Sequence, residues 1–221
     1  MEHPPVDFEA ISEPIESRIA TGLAKIALAL RSQAWKGAGA DGLTPTQGQA
    51  LAILRDETGG VRLATLAQAL AVSGPTASDA LGSLIAKGLV ERRSEIGDRR
   101  AAAFRLTVAG QDAAARASSW PNFLAVAVHS LDFAERRALF RALIKVIRTL
   151  QEAGAISVQR MCVSCRFFQP NVRPDDPDRP HVCALVGAPF GDHHLRLDCR
   201  EQELAPVKDR ETLWRRFAGH A

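Results

Sequence analysis

The chain has 221 residues, 46% of them hydrophobic but only 5% aromatic, with no tyrosine and a formal charge of +3 at pH 7. That length allows one large domain or two small ones with a buried core, and a composition dominated by alanine and leucine suits a helical protein. The longest unbroken apolar run, 123–128, falls far short of the roughly 20 residues a membrane span requires; the start MEHPPVDFEAISEP has acids and prolines where a secretory signal needs basic then apolar residues, so a soluble, cytoplasmic chain is expected. The charge is too small to imply nucleic-acid binding by itself; only the placement of the arginines can.

Residues 1–11 read as a loose arm. From Glu13, the residues Ile15, Ile19, Leu23, Ile26 and Leu30 recur at helical spacing, which predicts an amphipathic helix to about Trp35 with alanine-rich sides for close packing. The GAGADG stretch at 37–42 is expected to break it, and Thr44-Pro45 restarts a helix with an N-cap and a first-turn proline. Ala50, Leu51 and Leu54 turn that helix inward, and Gly59-Gly60 leads into the most informative segment.

Leu66 and Leu70 predict a short helix from about Ala64 to the Val72-Ser73 corner. Ser73 is a good N-cap and Pro75 suits a first turn, so a second helix starts there. Its buried stripe is Ala77, Leu81, Leu84 and Ile85, while Thr76, Asp79, Ser83 and Ala86 face outward. That outer face is small and polar, as a helix lying in a major groove about 12 Å wide requires. Gly88 supplies the stop. Leu89–Arg93 and Ala102–Thr107 follow as two β-type runs joined by the charged loop Ser94–Arg100, a hairpin wing. Arg92, Arg93, Arg99, Arg100 and Arg105 on or beside it suit phosphate or minor-groove contact, and Thr107 caps the next helix.

LATLAQALAVSGPTASDALGSLIAKGLVERR, followed by GDRRAAAFRLTVAG, resembles the core of the MarR family of bacterial transcriptional regulators. The resemblance runs over roughly residues 12–152, and its most specific part is Asp98, Arg99 and Arg100, then Leu106-Thr107 and Gly110, which resembles the family's wing signature. It implies a DNA interface at Ser73, Pro75, Thr76, Ser78, Asp79, Ser83, Arg99 and Arg100, with Arg100 reading at the wing tip and Asp98 orienting a nearby arginine. It also implies a homodimer, the first and last helices interleaving about a two-fold axis, on a pseudo-palindromic double-stranded operator. Many members carry arginine where Asp79 follows Ser78; an acid there repels phosphates and favours a cytosine amino group. The alternatives are a winged helix used for protein contacts and a monomeric bundle closed by the same apolar stripes.

After the wing, Val108 to about Ser118 continues as a helix, Trp120-Pro121 interrupts, and 122–129 resumes. Asp132 caps a last long helix with the apolar stripe Leu139, Phe140, Leu143, Ile144, Ile147 and Leu150. The small residues Ala153, Gly154 and Ala155 read as a hinge. The expected architecture is therefore mainly α with a small β wing: a winged helix-turn-helix with long dimerisation helices over 12–152, and a small irregular cysteine-rich module over 157–221. RPDDPDRP at 173–180 excludes regular structure there, and Leu213, Trp214 and Phe217 in 208–217 suggest a docking helix, with a basic-aromatic DNA contact as the alternative.

All the cysteine lies in the module: Cys162, Cys165, Cys183 and Cys199, spaced C-x2-C-x17-C-x15-C. In a cytosolic chain, four thiols in a segment with little core of its own suggest a metal site rather than disulfides. Structural zinc sites usually pair two close doublets, whereas here the second half consists of two separated cysteines. Three anchoring segments suit an iron-sulfur cluster, with Phe167, Phe168, Leu185 and Phe190 as apolar cover or an ordinary small core. Zinc stays open, with His181, His193 or His194 able to replace a thiolate. The composite expectation is a regulator, not an enzyme, whose DNA affinity follows the metal or iron-sulfur site. The alternatives are a regulator that binds a small organic effector and keeps a structural zinc, and an iron-sulfur or thiol redox enzyme; no Ser-His-Asp set, phosphate loop or dinucleotide fingerprint supports the last.

Overall fold

The computed structural model describes residues 12–219 apart from 58, 96 and 97, without the side chains of 94–101; the expected arm at 1–11 lies outside the described residues. The chain divides into two compact units at Val126/Ala127.

The first unit begins with helix α1 (Ile15–Ala40). It runs straight through Gly37 and Gly39 and closes where the Leu43 N–H donates to Ala38 O at 2.8 Å, so the glycine-rich stretch does not break it as expected. Those glycines answer to packing instead: a Cβ on Gly37 would lie 2.5 Å from Trp120 Cδ1, and one on Gly48 would lie 2.1 Å from Trp120 Cη2. The indole fills a slot that only hydrogen leaves open. Helix α2 (Pro45–Asp56) starts on a capping box, Thr44 Oγ1 accepting from Gln47 N–H and Gln47 Oε1 from Thr44 N–H, both at 3.2 Å, an arrangement worth about 1 kcal/mol.

Strand β1 (Val61–Arg62) leads to α3 (Leu63–Leu70), which ends on Ala71 in the left-handed region (φ 54°). Ser73 caps α4 (Gly74–Ala86), accepting from Thr76 N–H at 3.3 Å. Strands β2 (Val90–Glu95) and β3 (Asp98–Leu106) form the wing, and β1 joins them in a sheet of order β1-β3-β2. The pairing runs antiparallel from Val90↔Leu106 to Glu95↔Asp98, shifting register between Ser94 and Glu95. Strand backbone therefore continues through most of the expected 94–100 loop. Helix α5 (Val108–Ser118) follows. Leu51, Leu54, Val61, Leu66, Leu81, Leu84, Val90 and Ala114 close the core of this unit. Helix α6 (Asn122–His129) carries the unit boundary.

The second unit contains α7 (Phe133–Glu152), started by a capping box between Asp132 and Glu135 (2.8 Å each way). A 3-10 turn (Cys162–Ser164), a three-stranded antiparallel sheet β4 (Phe168–Gln169), β5 (His181–Cys183) and β6 (Ala188–Phe190), a second 3-10 turn (Asp192–His194) and helix α8 (Val207–Ala218) complete it. Its core joins Ile144 of α7 to Met161, Val163, Phe168, Leu195 and Phe217, with Phe140, Ile147 and Trp214 against them. The cysteine segment and α7, expected on either side of a hinge at 153–155, share one core, as suits a 65-residue piece with few apolar side chains of its own. Leu185, expected as cover, is 49% exposed.

Candidate nucleic-acid interface and thiol cluster

Helix α4 is held from behind and left open in front. Ala77, Ala80, Leu81 and Leu84 are buried, while Ser73, Pro75, Thr76, Ser78, Asp79, Gly82, Ser83 and Ala86 are exposed; Ile85, expected in the buried stripe, is 39% exposed. The Ser73 and Thr76 hydroxyls lie 2.8 Å apart. The helix end is tied down through Lys87, whose ammonium donates to Gln47 Oε1 at 3.3 Å and to Gly42 O.

The wing is anchored at its base. Thr107 Oγ1 donates to Gly88 O (2.7 Å) and accepts from Gly110 N–H (3.0 Å), and the Thr107 N–H donates to Leu89 O (3.1 Å). A Cβ on Gly110 would meet Leu89 O at 1.9 Å, so the Thr107-to-Gly110 pattern is the joint between strand and helix. Arg105, expected beside the wing as a phosphate contact, is exposed, and its guanidinium donates twice to Gly59 O, at 3.1 and 2.7 Å, clamping the turn before β1. Arg93 pairs with Glu91 at 2.7 Å, while Arg92 is exposed. Arg99 and Arg100 lie on β3, and their side chains, with that of Asp98, fall outside the described residues.

Along one flank of α4 opens a cavity of about 1050 Å³ between α1, α2, α4 and α5, lined among others by Leu30, Trp35, Gln47, Ala52, Asp79 and Trp120. Thr76 and Ser83 border it as well, so the flank of α4 expected to read bases also forms a wall of this space.

In the second unit three segments converge. Cys162 and Cys165 share the 3-10 turn, the Cys165 N–H donating to Cys162 O at 2.9 Å. Cys183 ends β5, which pairs with β4 in the register Phe168↔Cys183. The third segment returns at Arg196: the Cys162 N–H donates to Arg196 O (3.1 Å), the Arg196 N–H to Cys162 Sγ (3.3 Å), and the guanidinium to Cys199 Sγ (3.7 Å). The Cys199 N–H reaches Arg160 O at 2.9 Å. In the thiol form Cys199 donates to Glu201 Oε2 at 3.4 Å, and Glu201 also faces Arg196 at 3.7 Å.

All four cysteines are free of disulfides. Burial raises the Cys162 pKa, the Arg196 N–H opposes this, and the charges of Cys199, Cys165 and Cys183 push it up again; the four sulfurs form one electrostatic neighbourhood. Among the described residues no group of three or more His, Cys, Asp or Glu side chains is arranged to hold a metal ion.

The histidines have other roles. His181 is fully buried; its Nδ1 accepts from Asn171 N–H (3.1 Å), so Nε2 carries the proton and donates to Asp192 Oδ1 (2.9 Å). Arg141 donates to the same carboxylate oxygen at 2.7 Å and to Phe217 O, linking α7, the small sheet and α8. His193 and His194 are exposed and stack on each other, ring centroids 3.9 Å apart. Phe217 of α8 is fully buried and Arg148 lies over the Trp214 ring at 4.3 Å, so α8 docks on its own unit.

Residues 41–101 match the MarR family. No curated protein matches the chain. Among solved structures, the chain is similar to the Staphylococcus aureus MepR–DNA complex, with 25% identity and a TM-score of 0.53 over 59% of this chain and 97% of that one. It is similar to the transcriptional regulator PA3341, with 28% identity and a TM-score of 0.52 over 61% of this chain and 98% of that one. S. aureus MepR in its DNA-binding conformation, at 24% identity and a TM-score of 0.54 over 60% and 98%, shares the fold. No helix among the described residues is long and apolar enough to cross a membrane.

Proposed function

We propose that this chain is a homodimeric, DNA-binding transcriptional regulator of the MarR type, and that its affinity for a pseudo-palindromic operator follows the state of the four-thiol unit. The observation that carries the first half is α4: a helix of small exposed side chains, packed from behind and flanked by a wing, in the segment that matches the family. The likeness to a regulator solved on DNA supports the same reading. Two copies related by a two-fold axis present their α4 helices about one helical turn apart, which sets the half-site spacing.

The test is selection from a pool of random duplexes, followed by fluorescence anisotropy at two salt concentrations. An enriched pseudo-palindrome with affinity falling steeply with salt is expected; enrichment of no sequence refutes the reading. The second half is supported by the core that the cysteine turn shares with α7. A coupling of about 1 to 3 kcal/mol changes operator affinity roughly 5- to 150-fold. Equal affinity of metal-loaded and metal-free protein at matched salt refutes the coupling and leaves the unit structural.

One observation favours a second reading of the effector. The cavity on the flank of α4 has the size of a small-molecule site and is walled by Trp35, Trp120 and Leu30, with Gln47 and Asp79 as polar groups. A small organic effector there would touch the DNA-reading helix directly. Release of DNA by such a compound from protein whose cysteines are all serine separates this reading from the first.

A further inference from the structure

We propose that Asp79 is the residue of α4 that sets base preference: its carboxylate accepts from the amino group of one cytosine in each half-site and turns away the other three bases. This rests on the reading of α4 as the helix that enters the major groove, and it names the side chain there that chooses the sequence.

The first argument is direction. At about 100° per residue, the buried residues Ala77, Ala80, Leu81 and Leu84 point to one side of the helix. Pro75, Asp79, Gly82 and Ala86 lie within about 30° of the opposite direction and form an exposed crest. Thr76 and Ser83 stand roughly 70–90° from its centre, on the cavity side, and Ser78 lies on the other flank. On the crest Asp79 alone has a hydrogen-bonding side chain, and it falls in the N-terminal half of the helix, the part that meets base edges when such a helix docks. Among the described residues no hydrogen bond or ion pair engages its carboxylate.

The second argument is what the helix lacks. Gly74–Ala86 contains no Arg, Lys, Asn or Gln, and so none of the side chains that make bidentate contacts to guanine or adenine. Lys87, next in the chain, spends its ammonium on Gly42 O and Gln47 Oε1. In the major groove guanine offers two acceptors, thymine an acceptor and a methyl group, adenine an acceptor beside its amino group, and cytosine a donor. A carboxylate only accepts. It gains a charge-assisted hydrogen bond at cytosine and faces a lone pair on each of the others.

The third argument is reach. Aspartate is short, so the backbone of α4 must come close to the base edges. A Cβ on Gly82 would meet nothing within 4 Å; glycine in a helix interior costs stability, and no packing contact inside the chain demands it here. With Pro75 and Ala86 it keeps the crest low enough for a short side chain to touch a base. A carboxylate between two rows of phosphates weakens binding to every duplex, and the cytosine donor offsets this at one position. Asp79 therefore contributes discrimination rather than affinity.

Selection from random duplexes with the full-length parent, Asp79→Asn and Asp79→Ala reads this base by base, with circular dichroism to check that substitutions at an exposed position leave the fold intact. The parent should select cytosine at one position of each half-site, and changing that base pair should weaken binding roughly 5- to 150-fold. Asp79→Ala should bind all four base pairs there nearly equally and hold random duplex more tightly than the parent does. Asp79→Asn should accept adenine there, because an amide pairs with adenine N6 and N7. Preferences at the remaining positions should be the same in all three proteins. An operator unchanged in both variants, or a change confined to a position where the parent does not select cytosine, overturns the role of Asp79 and leaves the operator reading in place. Enrichment of no sequence by the parent removes the operator reading, and this inference with it.

Discussion

Helix α1 carries Ile15, Ile19, Leu23 and Ile26 on one face, at 64, 55, 40 and 41% exposure. A fully buried aliphatic side chain gains about 1.5–3 kcal/mol; covering the exposed portions of these four would therefore contribute about 4 kcal/mol per protomer and about twice that in a two-fold pair. Ile19→Glu with Ile26→Glu removes roughly half of this and places carboxylates in the seam. The lost burial alone, about 4 kcal/mol per dimer, weakens dimerisation roughly 1000-fold, and desolvation of the charges adds to it. Neither residue belongs to the core of the first unit, so a folded monomer is the expected product. Size-exclusion chromatography with light scattering over a concentration series, beside circular dichroism, reads both quantities. A double variant that stays dimeric wherever the parent does would refute the assignment of this face to a second copy.

Arg99→Ala and Arg100→Ala should each weaken operator binding by about 1–3 kcal/mol, and the one that touches only phosphate should lower the salt slope by about one; unchanged anisotropy in both removes the wing from the interface. Gly110→Ala forces a Cβ to within 1.9 Å of Leu89 O, a backbone clash that should cost at least about 1–3 kcal/mol in a thermal melt, and an unshifted melt would show the joint to be compliant. For Asp192, burial raises the pKa, but the hydrogen bond from His181 and then the charge of Arg141 outweigh it and hold the carboxyl below its ordinary value. A depressed carboxyl contributes stability that is complete above its unfolded pKa of about 3.9 and is lost as pH falls through the folded value. The second unit should hold its stability to that range and lose it in stronger acid, and Asp192→Asn should flatten this acid arm while costing about 3 kcal/mol at neutral pH. An unchanged pH–stability profile in the variant would count against the His181–Asp192–Arg141 link.

The elements that could be read from the sequence are those in which one local rule decides. Thr44, Ser73, Thr107 and Asp132 were legible as caps because side-chain chemistry at a helix start is local. The stripe of α4 was legible for the same reason, except at Ile85, on its edge. The misreadings all needed a partner distant in sequence. Gly37 reads as a breaker until Trp120 is known to press on it. The hold of Arg105 on the Gly59 carbonyl likewise has no signal in the sequence. The two-residue strand β1 is too short for any alternation to reveal, and only its pairing with Phe104 and Ala103 defines it. For the thiols, spacing pointed to a metal site, but the two contacts of Arg196 with sulfur had no signal beyond a basic residue three before Cys199.

The sequence stripe of α7 treats Leu139, Phe140, Leu143, Ile144, Ile147 and Leu150 as a single dimer face, but a helix advances 100° per residue and the structure divides that stripe between two tasks. Phe140, Ile144 and Ile147 pack into the core beside the cysteine turn. Leu139, Val146 and Leu150 lie on the adjoining flank, 39, 43 and 40% exposed, at the i, i+7 and i+11 spacing a second helix would cover. A sensor joined through a limp hinge could change without moving anything else. Here the core-facing residues Phe140, Ile144 and Ile147 and the exposed flank are two sides of one 20-residue helix, and the separate thiol-bearing turn contributes Val163, with Met161 before it, to that same core. On the proposed function, a change at the thiols would reach a second copy through that shared core rather than along the chain between the cysteines and α4.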